Sequence, residues 1–118
     1  MPVYNRDMHN WIELVEKHLG ITLSEHQRVQ FQVLQDELLE WNEKINLTAI
    51  RDAQGIQEKH FFGSLTCFLG FEKWPESLID VGSGAGFPGL PVKIVIPEMR
   101  LTLVESVDKK ANFSRHIV

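Results

Sequence analysis

The sequence predicts an α/β fold in two parts, a helical region over 1–75 and a β-α-β-α unit over 76–118. Three observations support this prediction. Apolar residues in the front of the chain recur at three- and four-residue steps, which is typical of amphipathic helices. Two short apolar runs, 78–82 and 101–105, have the length and composition of strands. A glycine-rich loop and a helix start lie between these runs, so the two strands are expected to be parallel.

The first predicted helix has one apolar stripe and a signal at each end. Asn5 can cap its start, and Gly20 is a natural stop because glycine readily adopts the left-handed conformation that ends helices. The residues of the stripe are Met8, Trp11, Ile12, Val15 and Leu19.

The second predicted helix begins at a capping box, the arrangement in which Ser24 and Gln27 satisfy each other's backbone N–H groups. The helix is expected to end near Lys44. The apolar residues that mark it are Val29, Val33, Leu34, Leu38 and Trp41.

A tight connector over 46–48 is expected to follow the second helix. Asp52 then begins a third helical stretch, which reaches Leu69 and which Gly55 and Gly63 are expected to interrupt. A linker leads from there to the β-α-β-α unit.

The β-α-β-α unit contains two predicted strands and two predicted helices. The strand over 78–82 is mostly apolar without alternation, so it is expected to be buried on both faces. A short helix is expected over 88–96, a second strand over 101–105 and a last helix from Asp108 onward. Because two parallel strands do not complete an open α/β sheet, we expect the chain to be the truncated front of a larger domain.

The composition of the chain disfavours several classes of protein. The net charge of −4 is not typical of a nucleic-acid-binding protein, so any RNA contact would need a local basic patch. Cys67 is the only cysteine, which excludes an intrachain disulfide. Without a signal-peptide pattern or an apolar run near about 18 residues, a cytoplasmic protein with no membrane contact is expected. The five histidines show no metal-ligand spacing, so we expect no metal.

The loop after the first strand is the strongest functional signal. Gly82, Gly84 and Gly86 lack side chains, so their backbone can approach a ligand closely and adopt positive φ. Asp80 lies two residues before the loop, where it could accept a hydrogen bond from the ammonium of a methionine moiety. Glu105, at the end of the second strand, is where a carboxylate would bind both ribose hydroxyls. The pattern favours S-adenosylmethionine over an ordinary glycine turn with two polar strand ends.

A nicotinamide dinucleotide is the first alternative. Residues 84–89 fit the pattern G-x-G-x-x-G, and an acid follows at Glu105. Against this alternative, the first glycine of that pattern lies beyond the strand end, and Asp80 stands where a dinucleotide fold normally has an apolar residue. Pro88 also removes an N–H near the helix start, where a pyrophosphate needs donors.

Three other stretches have a plain structural interpretation. In 41–48 we expect a helix end, with Trp41 in the core and Asn46 and Thr48 satisfying turn amides. In 60–65 we expect helix packing. Several basic residues are expected to form a solvated helix edge, or alternatively to neutralise RNA phosphates. They are Lys109, Lys110, Arg115 and His116, to which Arg51, Lys59 and Arg100 could add.

Taken together, these residues resemble one family, the bacterial 16S rRNA guanine-N7 methyltransferases, also called the RsmG or glucose-inhibited division protein B family. The resemblance covers nearly the whole chain. The segments that resemble the family are W-N-E-K-I-N-L-T at 41–48, D-V-G-S-G-A-G-F-P-G-L-P at 80–91, and L-V-E-S at 103–106 followed by Lys109, Lys110 and Phe113.

The resemblance implies a Rossmann-like methyltransferase fold with a helical N-terminal extension. It also implies methyl transfer from S-adenosylmethionine to N7 of a guanine in 16S rRNA, free or in the small ribosomal subunit, by an enzyme that is a monomer when full length. The cofactor contacts that it implies are Asp80, Gly82, Ser83, Gly84, Gly86, Phe87 and Glu105. No catalytic residue is assigned.

The chain departs from the family at one position and in its length. Gly63 stands where the family normally has an acid in its H-x-x-D-S segment. Family members are also longer, so the chain by itself is expected to lack later strands and the basic residues that would handle the guanine. A non-catalytic helical interaction fragment is therefore the second alternative.

Overall fold

The structure, a computed structural model, describes residues 6–117 of the chain. The predicted cap Asn5 and the side chain of Met8 lie outside the described residues. The helices are α1 (Arg6–Leu19), α2 (Glu25–Lys44), α3 (Ala53–Gly55), a π-helical turn (Ile56–Phe62), α4 (Gly63–Leu65), a 3₁₀ helix (Thr66–Gly70), α5 (Gly89–Val95) and α6 (Asp108–Ile117). The strands are β1 (Ser77–Val81) and β2 (Arg100–Val104).

The first two helices end where the sequence predicts. Gly20 follows α1 with a φ of +67° and donates its N–H to the carbonyl of Glu16, which closes the helix. The capping box is confirmed, since Ser24 Oγ accepts from the N–H of Gln27 at 3.1 Å and Gln27 Oε1 accepts from the N–H of Ser24 at 2.8 Å.

Gln27 also joins the helical region to the β-α-β-α unit. Its Nε2 donates to the carbonyls of Ile94 and Val95 at 3.1 and 3.3 Å. These carbonyls lie at the C-terminal end of α5, where the helix itself supplies no N–H partners. The capping residue of α2 therefore also caps α5.

Three aromatic rings form the centre of the helical region. Trp11, Phe31 and Phe61 come from α1, α2 and the π-helical turn, and their centroids lie 4.8 to 5.3 Å apart. All three are buried, and the same core continues through α5 to Phe113 in α6. Aromatic contacts of this kind stabilise by about 0.5–1.5 kcal/mol beyond the area that they bury.

Two residues that mark α2 in the sequence do not reach this core. Leu34 and Leu38 are buried, as expected of the apolar face, whereas Val29 and Val33 are exposed. The reason is geometric: α5 and α6 pack on α2 along a line that leaves these two valines at the side of the contact.

The prediction that Gly55 and Gly63 interrupt the third helical stretch is wrong. Both residues have right-handed helical backbone angles, and helical turns continue without a break from Ala53 to Gly70. The irregularity is a change in the winding, because the turn over Ile56–Phe62 is π-helical. Short π-helical turns of this kind are rare and frequently lie at functional sites.

The two strands form a parallel sheet in which Asp80 pairs with Leu103 and Val81 with Val104. Each strand starts and ends one residue earlier than predicted. The expectation that the first strand is buried on both faces is wrong, since Ile79 and Val81 are 67% and 76% exposed. Among the described residues, α5 covers the face of Asp80 and leaves the face of these aliphatic side chains open.

The two remaining helices agree with the sequence. The expected helix over 88–96 is α5, and the expected helix from Asp108 is α6. In the part of the chain that the structure describes, no helix has the length and apolar character needed to cross a bilayer.

Candidate functional site

The loop between β1 and α5 has the backbone conformation that its glycines predict. Gly82, Gly84 and Gly86 have φ values of +70°, +59° and +98°, a region that other residues rarely adopt. A Cβ atom placed on Gly82 or on Gly84 would meet no atom within 4 Å. The main chain at these two positions is therefore bare toward open space, as a ligand-binding loop requires.

Gly86 and Gly89 have a different role, since they allow close packing. A Cβ on Gly86 would lie 2.3 Å from Cδ1 of Leu90, and a Cβ on Gly89 would lie 2.8 Å from Cδ2 of Leu103. A side chain at either position would therefore require Leu90 or Leu103 to shift. The second half of the loop therefore sets how closely α5 approaches the sheet.

Asp80 lies beneath the start of α5. Its Oδ2 accepts a hydrogen bond from the N–H of Gly89 at 3.0 Å, and the residue is 9% exposed. Burial raises the pKa of Asp80, the hydrogen bond from Gly89 partly opposes this, and the charge of Glu105 raises the pKa further. The carboxylate is thus held by one backbone donor, and its negative charge is poorly compensated.

Glu105 lies on the same face of the sheet as Asp80. Asp80 pairs with Leu103, and side chains two residues apart on a strand share a face, so Glu105 projects to the side of Asp80 one step beyond the strand end. Its Oε2 accepts from the N–H of Gly84 at 3.0 Å, and its Oε1 accepts from the N–H of Val107 at 3.4 Å. Sequence reasoning did not find these two backbone contacts.

Ser83 connects the loop to β2 and carries an unsatisfied hydroxyl. The N–H groups of Gly82 and Ser83 donate to the carbonyl of Val104 at 2.7 and 3.3 Å. The Ser83 carbonyl accepts from Gly86 and Phe87 at 2.9 and 3.1 Å. Its Oγ is buried and has no hydrogen-bond partner among the described residues. Because Ser83 is only 4% exposed, this hydroxyl is enclosed by the protein beneath the loop.

An open cavity of about 1060 Å³ begins beside Glu105, between α2, α5, β2 and α6. Its wall is mostly apolar. Side chains that line it include Val33, Leu34, Leu90, Leu103 and Ile117. The space next to the Glu105 carboxylate can therefore bury a flat apolar group.

Phe87 stacks on a histidine of the helical region. The rings of Phe87 and His60 are nearly parallel, with an angle of 7° and centroids 4.5 Å apart. Sequence reasoning assigned His60 to helix packing, and the structure places it against the glycine loop. The partner of this histidine is Thr48, whose Oγ1 lies 2.8 Å from Nε2 of His60. This contact joins residues twelve positions apart, so it could be found only from the tertiary structure.

The expectation that Asn46 and Thr48 satisfy turn amides is confirmed for Thr48, whose Oγ1 accepts from the N–H of Ile50 at 3.2 Å, and is wrong for Asn46. The other residue with this role is Asn42, which is buried and whose Oδ1 accepts from the N–H groups of Leu47 and Thr48 at 2.9 and 3.1 Å. Asn46 is exposed and accepts instead from Arg51 Nη2. Asn42 has this role because the last turn of α2 directs its side chain under the connector.

The basic residues of α6 make contacts near their own helix. His116 Nε2 lies 3.0 Å from Oε2 of Glu37 in α2, within hydrogen-bond distance, and its ring packs against the half-buried ring of Trp41. Arg115 donates to Asn112 Oδ1 at 2.7 Å. Their contact with RNA phosphates stays a prediction. Among the side chains that the structure describes, those of residues 10–117, no group of three or more potential ligands is arranged to hold a metal ion.

Comparison with known proteins agrees with the resemblance. The family model described as GidB, rRNA small subunit methyltransferase G, matches residues 27–118. The chain is 54% identical over 99 residues to a protein named ribosomal RNA small subunit methyltransferase G from Roseiflexus sp. (strain RS-1), covering 84% of this chain and 42% of that protein.

Two further relatives carry the same name. The protein from Bacillus thuringiensis (strain Al Hakam) is 48% identical over 100 residues, covering 83% of this chain and 41% of that protein. The protein from Staphylococcus carnosus (strain TM300) is 44% identical over 107 residues, covering 90% of this chain and 44% of that protein. The chain thus spans less than half the length of the curated relatives that it matches.

Proposed function

Because this chain belongs to the rRNA small subunit methyltransferase G family, we propose that it binds S-adenosylmethionine at the glycine loop and serves methyl transfer to N7 of a guanine in 16S rRNA. The observation that carries the proposal is that Asp80 and Glu105 lie on one face of the sheet, beside a loop in which a Cβ atom on Gly82 or Gly84 would meet open space. The proposed partner is 16S rRNA, free or within the small ribosomal subunit.

The residues at this site fit the parts of the cofactor. Asp80 is a buried and undercompensated carboxylate, which suits it to accept a hydrogen bond from the methionine ammonium. Glu105 keeps free lone pairs beside its two backbone donors, so it can accept from the ribose hydroxyls. A Cβ atom on Gly82 or Gly84 would meet open space, so the backbone at these two positions allows close approach of the cofactor.

Few catalytic groups are needed for this reaction. When bound, S-adenosylmethionine supplies a methyl group already activated on a sulfonium. Guanine N7 carries an in-plane lone pair, so no proton has to leave before attack and the chain needs no general base. What its residues contribute is alignment and exclusion of water, and alignment of reactants lowers barriers by about 7–11 kcal/mol.

Neither alternative function, a nicotinamide-dependent oxidoreductase or a non-catalytic helical fragment, is supported. The three relatives above are named as methyltransferases, and none is named as an oxidoreductase. The site also disfavours a pyrophosphate, because Gly84 donates its N–H to Glu105 and the carboxylate lies where a phosphate would approach. A non-catalytic helical module would have no use for a second half of the chain that the family model matches through residue 118.

The domain description forms part of this proposal. We place the helical extension at 1–75 and the start of a Rossmann-like methyltransferase domain at 76–118, in an enzyme that acts as a monomer. The parallel β1–β2 pair with α5 between the strands is the opening β-α-β unit of such a domain.

The cofactor is tested by isothermal calorimetry with this chain. We expect binding of S-adenosylhomocysteine and none of NADH, and the reverse result would overturn the proposal. Gly20→Ala is the matched control for substitutions of the loop glycines, since Gly20 also has positive φ and lies outside the site. This variant should bind S-adenosylhomocysteine as the unmutated chain does.

Methyl transfer is tested with small ribosomal subunits that lack the modification. Labelled methyl groups should enter 16S rRNA and create a site that cleaves after borohydride and aniline treatment, which is specific to N7-methylguanine. Transfer to another atom would remove the guanine-N7 assignment. Binding of cofactor without any transfer would limit this chain to cofactor binding.

A further inference from the structure

One chain of contacts links the end of α2 to the glycine loop. Its last member is the stack between Phe87 and His60, described above. Phe87 also approaches Phe61 of the aromatic core, with centroids 6.2 Å apart. The backbone of Phe87 therefore belongs to the loop, while its ring packs against the helical region.

His60 is in turn held by Thr48. The Thr48 hydroxyl accepts from the N–H of Ile50 at 3.2 Å, and the same oxygen lies 2.8 Å from Nε2 of His60. Burial lowers the pKa of His60, which favours the neutral ring. In the neutral tautomer that carries its proton on Nδ1, Nε2 accepts the Thr48 O–H, and the hydroxyl then donates to His60 while it accepts from Ile50.

Thr48 owes its position to α2. Asn42, in the last turn of α2, accepts from the N–H groups of Leu47 and Thr48. The connector therefore cannot move relative to the helix without breaking two hydrogen bonds to a buried amide.

The π-helical turn gives His60 its direction. A π-helical turn adds a residue to the winding, so it rotates the side chains after it relative to a regular α-helix. Phe61 then packs into the core while its neighbour His60 faces the loop.

We propose that Thr48 and His60 are positioning residues that hold Phe87 so that the glycine loop keeps its cofactor-binding shape. The predicted effect on cofactor affinity rests on the proposed function, because it requires that the glycine loop binds S-adenosylmethionine. The backbone hydrogen bonds of Gly86 and Phe87 are all local, since both residues donate to the carbonyl of Ser83 and Gly86 accepts from Leu90 at 2.7 Å. The ring stack is the contact that ties Phe87 to the helical region through His60. Without the stacked ring, this half of the loop would open more often.

Two substitutions test the contact with His60. Thr48→Val removes the hydroxyl at nearly constant shape, and Thr48→Ser keeps it. In the first variant we expect the amides of Gly86 and Phe87 to exchange about fivefold faster with deuterium, because a lost hydrogen bond of average strength corresponds to about that factor. S-adenosylhomocysteine should bind about fivefold more weakly, and Thr48→Ser should restore both values.

A matched control separates positioning from general stability. Thr66→Val removes a hydroxyl at the start of the 3₁₀ helix, which donates to the carbonyl of Gly63 in α4. It should leave loop exchange and cofactor affinity unchanged. His60→Leu should behave as Thr48→Val does, and His60→Phe should retain part of the affinity because it keeps a flat ring on Phe87.

The outcomes distinguish this inference from the proposed function. If the unmutated chain binds no S-adenosylhomocysteine, the proposed function fails, and the inference about affinity fails with it. If the unmutated chain binds and Thr48→Val changes neither loop exchange nor affinity, only the inference fails. Faster exchange spread evenly over α1, α2 and the loop would show a structural role alone and would also overturn it.

Discussion

Asp80 and Glu105 hold opposite ends of the same loop. Asp80 accepts the N–H of Gly89 and Glu105 accepts the N–H of Gly84, while the charge of Glu105 contributes to the raised pKa of Asp80. Two carboxylates at the ends of adjacent strands repel each other, and each is compensated by one loop amide. A bound cation between them would relieve this repulsion, which matches the charge of the proposed cofactor.

Replacing Asp80 by Asn should separate binding from stability. The amide oxygen can still accept from Gly89, and the variant removes a buried charge. We expect a free energy of unfolding at pH 7 that is equal to or higher than that of the unmutated chain. Affinity for S-adenosylhomocysteine should fall about 10- to 100-fold, the value of a hydrogen bond between charged groups.

The stability difference between this variant and the unmutated chain should depend on pH. The pKa of Asp80 is raised from 3.8, so between pH 3.8 and the raised pKa the folded chain binds more protons than the unfolded chain. The contribution of Asp80 to stability therefore falls as pH rises through this interval. Urea unfolding from pH 3 upward should show the advantage of Asp80→Asn growing and then levelling off; a constant difference would contradict the raised pKa.

Replacing Gly84 by Ala should weaken cofactor binding more than it weakens the fold. A Cβ there meets no protein atom, so the loss of stability comes from the left-handed backbone alone, about 1–2 kcal/mol. Gly20→Ala carries the same backbone cost, since Gly20 has a φ of +67° and equally open surroundings. Equal losses of stability are expected in denaturant unfolding, with reduced affinity only for Gly84→Ala. Equal affinities would place the ligand elsewhere.

Substitution by alanine should change the stability of the chain in opposite directions at Gly55 and at Gly63, although both lie in the same helical stretch. A Cβ on Gly63 would meet only the carbonyl of Glu58, at 3.8 Å, so Gly63→Ala should stabilise the chain by about 0.5–1 kcal/mol. A Cβ on Gly55 would lie 2.6 Å from Oδ1 of Asp52 and Cγ2 of Ile50, so Gly55→Ala should destabilise it. Thermal unfolding measures both changes. The same space at Gly63 would accept the acid that the family has at this position.

The buried amides of Gln35 and Gln57 should behave as a pair. Gln57 Nε2 donates to Gln35 Oε1 at 2.8 Å, between α2 and the π-helical turn. Gln57→Leu should cost about 1–3 kcal/mol because it leaves a buried acceptor unsatisfied. In a double-mutant cycle, adding Gln35→Leu should recover part of this loss. Additive losses would show that the two amides do not interact.

The free energy of unfolding should fall as the pH is lowered, in part because of His60. Its pKa is lowered from 6.5 by burial, so the unfolded chain takes up a proton more readily than the folded chain. The contribution of His60 is therefore fully present above pH 6.5 and is lost as pH falls from 6.5 toward the lowered pKa. His60→Gln should flatten the fall in unfolding free energy over this interval. A slope equal to that of the unmutated chain would contradict the assignment.

Helix bounds and loop conformation could be predicted because they depend on neighbours in the chain. The capping box at Ser24, the stop at Gly20 and the positive φ of Gly82 each follow from residue types within one or two turns. The placement of Asp80 and Glu105 on one face follows from strand alternation combined with parallel pairing. These features are local or periodic, so the order of residues is enough to specify them.

By itself the sequence determined an α/β chain with a helical front, a glycine loop bare of side chains and two acids at strand ends. Tertiary structure alone decided that Ile79 and Val81 face outward, that Glu105 reaches the amide of Gly84, and that His60 stacks on Phe87. The reason is physical: burial and stacking depend on groups that are far apart in the chain, and which of them meet is set by how the helices pack on the sheet.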